Sequence, residues 1–393
     1  MLDNISTKEK DVFFPTYERL PIGNITRASG MFIYTESGEK YLDAIAGLGV
    51  NALGHSHPEI VQAVQEQASR YMHLSNLYIQ DVQVELAEKL IALSGFEKVF
   101  LTNSGTEAVE GALKLARKYF SSTEKTELVG ISNCFHGRTF GALSVMDKSK
   151  YRDGFAPFVG DAIATKSYSE EDLLRSVSDK TAAVIIEPIQ GEGGIIEIPI
   201  SYVTLLHQLR ERYGFLIIAD EIQSGIGRTG KFFAFEHYGL KPDIVIVAKA
   251  IGGGLPMGAI LANNSIASCF KAGVHGTTFG GNALACAAGV VVLKKIQDGL
   301  MDQVQVESNS FRTKLEDLRN QFPQSIKEVR GKGFMIGIEF SKNVKSAYEK
   351  MLERGIITNV TANSVLRLLP PLLFSTEHSD IVVKELGTIL SEE

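Results

Sequence analysis

Lys249 directly follows the apolar run Ile244 to Ala248. An ammonium group is rarely buried without a partner, so a lysine ending a buried strand needs a carboxylate, a way to solvent, or a chemical task. Desolvation lowers a lysine's pKa, and the neutral amine it favours attacks an aldehyde to give an imine. Two other apolar runs end in the same way, Phe215 to Ala219 before Asp220 and Ala182 to Ile186 before Glu187. Such continuous runs suit strands buried on both faces, and ligands of open parallel sheets sit at the carboxyl ends of the strands. Three charged strand ends therefore describe a pocket, and the glycines of KAIGGGLPMG leave room for a planar ring beside Lys249.

An anion site stands upstream. Ser104 and Glu107 have S-x-x-E spacing, and Ala108, Ala112, Leu115 and Ala116 repeat on one helical face, so a helix starts near Gly105. Its free N–H groups favour an anion, Gly105 permits close approach, and the Thr106 hydroxyl adds a donor. Most capping boxes only cap; SHPE (Ser56 to Glu59) is a second one, read with His55 and His57 as structural. GIGRTG (Gly225 to Gly230) matches a dinucleotide fingerprint, but the aromatic, turn-like KFFAFEHYG after it is not a helix opening, so no nicotinamide site is expected. Arg138 in FHGRT and Arg367 in LRLLPPL each have the fork that holds a carboxylate with two parallel hydrogen bonds, although surface arginines look the same in sequence.

These residues need a scaffold that alternates strands and helices, and the middle of the chain reads that way, as a parallel sheet covered by helices. Residues 30–47 alternate around Ser37-Gly38 as a hairpin. Beyond residue 300 the pattern changes to a helix through DQVQVESNSFRTKLEDLRNQF, a strand through VRGKGFMIGIEF and a helix around Ala347 to Arg354. With 393 residues the expectation is a large domain over 51–300, an N-terminal arm and hairpin over 1–50, and a C-terminal small domain over 301–393. A net charge of −6 without clustered Lys and Arg argues against nucleic acid. The most apolar stretch, Ile244 to Ala262, contains Lys249, three glycines and Pro256, which argues against a membrane span. The start has no basic-then-apolar leader, and Cys134, Cys269 and Cys286 lack metal or CxxC spacing; buried thiols in a reducing cytoplasm and no metal are expected.

The segment ADEIQSGIGRTGKFFAFEHYGLKPDIVIVAKAIGGGLPMGA resembles the signature of the class III, ornithine aminotransferase-like group of fold-type I pyridoxal-phosphate enzymes. NSGTEA, FHGRT, EPIQGEGG, HGTTFGGN and LRLLPPL follow the family's order over almost the whole chain. The resemblance implies an α/β fold: a large domain with a mainly parallel sheet flanked by helices, and a smaller α/β domain built from both chain ends. It makes Lys249 the Schiff-base lysine for pyridoxal 5′-phosphate and pairs Asp220 with the pyridine nitrogen, which improves the ring as an electron sink. Gly105 and Thr106 would hold the phosphate, Phe135 would stack on the ring, Gln223 would lie near the phenolic oxygen, and Glu221 and Ile222 would complete that contact segment. Thr278 would reach the phosphate of a neighbouring subunit, implying a homodimer with shared active sites.

The same resemblance assigns Arg138 to a carboxylate far from the reacting carbon and Arg367 to the α-carboxylate of glutamate, with Glu192 pairing Arg367 when an ω-amino donor is bound. GLGVNALGHSHP, EPIQGEGG and HGTTFGGN together most resemble the acetylornithine-specific branch of arginine biosynthesis, where an apolar wall at Gly47 to Val50 suits an acylated nitrogen and Thr277 contacts the acyl substrate. The expected substrates are N2-acetylornithine and 2-oxoglutarate. Ornithine, succinylornithine, succinyldiaminopimelate and 4-aminobutyrate stay open as donors, and an aminomutase or racemase is the more distant alternative.

Overall fold

The computed structural model describes residues 2–392. Its strands, in chain order, are β1 (Ile25–Ser29), β2 (Phe32–Thr35), β3 (Lys40–Asp43), β4 (Lys98–Thr102), β5 (Glu127–Ile131), β6 (Ala162–Thr165), β7 (Thr181–Ile186), β8 (Ile189–Gln190), β9 (Ile196–Glu197), β10 (Leu216–Asp220), β11 (Ile244–Ala248), β12 (Gly258–Ala262), β13 (Ile326–Lys332), β14 (Met335–Phe340), β15 (Ile356–Ile357), β16 (Asn359–Thr361) and β17 (Val365–Leu368). Seven of them form the central sheet in the order β4-β12-β11-β10-β7-β5-β6. Its neighbours pair in parallel except β12, which runs antiparallel to both β11 and β4.

The apolar runs are explained by what covers the two faces. Ile244 and Ile246 pack with Ala108, Ala112 and Leu115 of the helix Gly105–Tyr119. Val245 and Val247 point the other way, into the core that holds Leu86 and Leu90 of the helix Asp81–Ser94 and Ala285, Ala288 and Val292 of the helix Ala283–Lys295. Burying each Val or Ile contributes about 1.5–3 kcal/mol, so a strand covered on both sides has no place for a polar residue until it ends. Charge is therefore confined to strand ends, and at the carboxyl end of β10 Asp220 pairs in register with Ile246 beside the exit of β11.

Both chain ends meet in one four-stranded sheet. β3 pairs in parallel with β15 in the sheet β1-β2-β3-β15, and a second sheet runs β13-β14-β17-β16. Leu369 N–H donates to Ala44 O at 2.8 Å and Leu372 N–H to Ala52 O at 2.7 Å, tying the segment after β17 to the N-terminal region. The hairpin expected around Ser37-Gly38 is β2–β3, with Gly38 at φ +91°. VRGKGFMIGIEF departs from the single-strand expectation: it is the antiparallel pair β13–β14, and Gly333 at φ +54° makes the turn where a Cβ would lie 2.5 Å from Arg228 O. SHPE also departs, because the helix Pro58–Arg70 starts from His57 without a side-chain cap and Glu59 pairs with Lys295. GIGRTG is followed by turns and the short helix Ala234–His237, as its aromatic continuation indicated. No helix among the described residues is long and apolar enough to cross a membrane.

Candidate active site

The carboxyl ends of β7, β10 and β11 open into a cavity of about 460 Å³ lined by Glu187, Asp220 and Lys249. Lys249 leaves β11 at φ +50°, a conformation that costs a non-glycine residue about 1 kcal/mol or more, and opens the short helix Lys249–Gly252. Burial lowers its pKa, while Glu192 opposes the shift and Arg367 adds to it. The surroundings thus favour the neutral, nucleophilic amine.

Asp220 is held from two sides: Oδ1 accepts from Ile222 N–H at 3.0 Å, and Oδ2 lies 2.6 Å from His136 Nδ1. Glu187 accepts from Phe135 N–H at 2.8 Å and Gly191 N–H at 3.3 Å. Burial, reinforced by the Asp220 charge, raises its pKa to about 7. His136 Nε2 is buried without a hydrogen-bond partner among the described residues. The floor therefore carries two carboxyl groups that line the cavity, Asp220 and Glu187, the second with a pKa raised to about 7.

The anion end forms as the spacing indicates, with one shift of register. Ser104 Oγ accepts from Glu107 N–H at 3.3 Å, but the Glu107 carboxylate reaches back to Asn103 rather than to Ser104, accepting from its N–H at 2.6 Å. The first turn of Gly105–Tyr119 is left facing the cavity through Gly105 and Thr106. Gly137 keeps this end open, since a Cβ there would lie 2.2 Å from Thr106 Oγ1. Thr106 Oγ1 is 2.9 Å from Thr139 Oγ1.

At the wall, β17 supplies Arg367, which is 1% exposed. Its Nη1 donates to Gly191 O at 3.0 Å, Gln223 Oε1 at 3.3 Å and Glu192 Oε1 at 2.5 Å, and its Nη2 donates to Asn359 Oδ1 at 2.7 Å. Burial raises the Glu192 pKa, but the positive charges of Arg367, then Lys249 and Lys148, outweigh it and hold the carboxyl below its ordinary value. Arg138 is exposed at the mouth, its guanidinium 3.9 Å from the Tyr151 ring centroid and 5.4 Å from that of Phe135.

Of the residues singled out from sequence, Gly105, Thr106, Phe135, Arg138, Glu192, Asp220, Ile222, Gln223 and Lys249 line this one cavity, as does Val50 of the apolar wall segment. Arg367 reaches it through Glu192 and Gln223. Glu221 does not belong there: its carboxylate turns into the core, accepting from Ser224 Oγ, Ala234 N–H and Phe235 N–H at 2.7–3.0 Å. Thr277 and Thr278 lie outside the cavity of their own chain; Thr277 Oγ1 accepts from Asn103 Nδ2 at 3.0 Å, and Thr278 is exposed. His136 was missed by the sequence reasoning. Its position between Phe135 and Arg138 in FHGRT was the available signal. Glu187 was read only as a strand end, and its nearness to Asp220 has no local sequence signature. His55, read as structural, pairs with Asp43 at 2.8 Å.

These groups fit pyridoxal phosphate. A helix N-terminus kept open by Gly137 suits the phosphate, Asp220 suits a protonated ring nitrogen, Phe135 offers an aromatic surface, and Lys249 offers the amine. The family model described as aminotransferase class-III matches residues 14–390. The chain is 44% identical over 388 residues to an acetylornithine aminotransferase of Methanocaldococcus jannaschii, covering 98% of this chain and 97% of the relative. It is 43% identical to that of Aquifex aeolicus, covering 95% and 98%. Among solved structures, the acetylornithine aminotransferase of Elizabethkingia anophelis superposes with a TM-score of 0.87 at 32% identity, covering 100% of this chain and 99% of that one. An ornithine aminotransferase of Toxoplasma gondii, whose active site holds PLP at partial occupancy, superposes with a TM-score of 0.93 at 28% identity over 99% and 94% of the two chains. With its strand-end lysine and aspartate, its anion cradle and a match over nearly its full length, the chain belongs to the class-III aminotransferase family.

Proposed function

We propose that this enzyme transfers the δ-amine of N2-acetylornithine to 2-oxoglutarate, giving N-acetylglutamate 5-semialdehyde and glutamate, with pyridoxal 5′-phosphate as cofactor. The Glu192–Arg367 pair, facing the same cavity as Lys249, carries the two-substrate reading, and near-full-length identity to acetylornithine aminotransferases supports the donor. Pyridoxal phosphate supplies an electrophilic carbonyl for an amine and a ring that accepts the electron pair left when a proton leaves the amine-bearing carbon. Gly105, Thr106, Phe135, Ile222, Gln223 and Asp220 would hold it.

Lys249 would hold the cofactor through its amine, and the same amine would carry the proton at the amine-bearing carbon of the substrate. Burial lowers the pKa of this amine, which shifts it towards the neutral form that can take up a proton. Asp220 would favour a proton on the ring nitrogen, and His136 fixes the orientation of that carboxylate. Arg138, exposed at the mouth, takes the substrate carboxylate remote from the reacting carbon. The δ-carbon of acetylornithine brings no charge to Arg367, and leaving this buried guanidinium uncovered would cost about 3–5 kcal/mol. Glu192 covers it. Glutamate and 2-oxoglutarate bring their own α-carboxylate, so Glu192 yields its place, and one cavity serves both substrates.

The reading extends to a homodimer in the cytoplasm with domains near 1–50, 51–300 and 301–393. Exposed Thr278, beside exposed Phe279, supports a partner's cavity as its destination, and exposed Leu77 and Ile79 support an apolar contact. A donor panel with 2-oxoglutarate tests the substrate: acetylornithine should exceed succinylornithine, ornithine and 4-aminobutyrate in kcat/KM. A higher value for any of the other three would overturn the assignment.

A further inference from the structure

If Glu192 leaves Arg367 in half of the cycle, its carboxylate needs somewhere to go. A second cavity of about 570 Å³ lies against the first, lined by polar groups including Asn133, Lys148, Tyr151, Thr361 and Asn363. Among the described residues, Glu192 alone lines both cavities. The Glu192 side chain is 26% exposed while that of Arg367 is 1% exposed, so the carboxylate is the free member of the pair. Arg367 is also fixed by Gly191 O, Gln223 and Asn359, whereas the hydrogen bonds of the Glu192 carboxylate among the described residues go to Arg367 only.

Lys148 waits on the other side. Its Nζ donates to the backbone carbonyl of Glu192 at 2.8 Å, which puts an ammonium inside the arc swept by Glu192's own side chain when χ1 and χ2 change. Thr361 Oγ1 donates to the same carbonyl at 2.9 Å, so the backbone pivot is held while the side chain turns. Lys150 lines the same cavity but is exposed and makes no such contact.

We propose that Lys148 is the second partner of Glu192: when a substrate α-carboxylate occupies Arg367, the Glu192 carboxylate turns into the polar cavity and pairs with the Lys148 ammonium. Lys148 is then a positioning residue that sets the balance between the two half-reactions. This rests on the Glu192 switch described under the proposed function. Without Lys148 the displaced carboxylate loses the ammonium anchored beside its own backbone, and the substrates that displace it are penalised.

The test follows each half-reaction separately, by rapid mixing of the cofactor-loaded enzyme with acetylornithine, with glutamate, and of its aminated form with 2-oxoglutarate. Lys148→Met should lower kcat/KM for glutamate and 2-oxoglutarate by about tenfold, roughly 1.4 kcal/mol, and that for acetylornithine by less than about twofold. Lys148→Arg should restore the balance, and Lys150→Met should leave it unchanged. In a Glu192→Ala background Lys148→Met should have no effect, because there is no carboxylate to receive. An equal loss in both half-reactions, a persisting effect without Glu192, or the same imbalance from Lys150→Met overturns the assignment. If Glu192→Ala alone leaves the glutamate-to-acetylornithine ratio unaltered, the switch itself is wrong. If that ratio changes while Lys148→Met is silent, only the role of Lys148 falls.

Discussion

The floor and the wall of the cavity handle charge differently. On the floor, Asp220 and Glu187 each accept a backbone N–H, and Asp220 also engages His136, so the carboxylates are fixed before anything binds. At the wall, Arg367 is just as firmly held, but the carboxylate that neutralises it has one partner and is partly open to the cavity. Under the proposed function, the floor would serve chemistry common to both substrates and gain from rigidity, because preorganised groups need not reorganise as charge develops. Under the proposed function, the wall would accept a neutral methylene in one half-cycle and a carboxylate in the other. One fixed charge and one movable charge satisfy both.

The largest expected effect breaks the floor. Lys249→Ala removes both the attacking amine and the proton carrier, and turnover should fall by about four orders of magnitude or more, with no cofactor fixed to the chain by borohydride. A variant that cycles at the normal rate would end the assignment. Asp220→Ala should lower kcat with either substrate by about 10²- to 10³-fold, measured in both half-reactions; a loss confined to one would mean that Asp220 belongs functionally to the wall. Arg367→Ala sharpens the contrast from the other side, since the 2-oxoglutarate half-reaction should drop by about 10²-fold while the acetylornithine half-reaction changes by less than about tenfold. Equal losses would erase the distinction between floor and wall.

The smallest effect is thermodynamic. Glu187 is raised from its ordinary value to about 7, by burial first and the Asp220 charge second, so the folded state holds a proton that the unfolded chain has already lost. Its contribution is fully present below pH ~4.5 and is lost as pH rises towards 7, reaching about 1–3 kcal/mol. Denaturant melts of Glu187→Gln at pH 5 and pH 8 should show a smaller loss with pH than the parent protein. An unchanged difference would show that Glu187 carries its charge in the fold at both pH values.

Local patterns went a long way here because buried parallel strands and capped helices have local causes. Apolar runs of this length suit strands covered on both faces, and the charged residue ending each then falls at the sheet's carboxyl edge. The errors also have local causes. Glu221 follows Asp220 in sequence, but the chain turns there, and its carboxylate finds Ser224, Ala234 and Phe235 instead of the cavity. VRGKGFMIGIEF reads as one apolar strand, yet Gly333 at positive φ folds it into two.

By itself, the sequence determined the chemistry of the floor: the strand-end lysine and aspartate, the helix start that favours an anion, and the glycines that admit a ring, each set by burial or backbone geometry within a few residues. Only the tertiary structure decided the wall. Arg367 and Glu192 are 175 residues apart, and whether two such charges meet depends on how β17 seats against the turn between β8 and β9, a packing outcome that no local period encodes. The same holds for His136 against Asp220, 84 residues apart, and for the lysine that stands beside Glu192 in the second cavity.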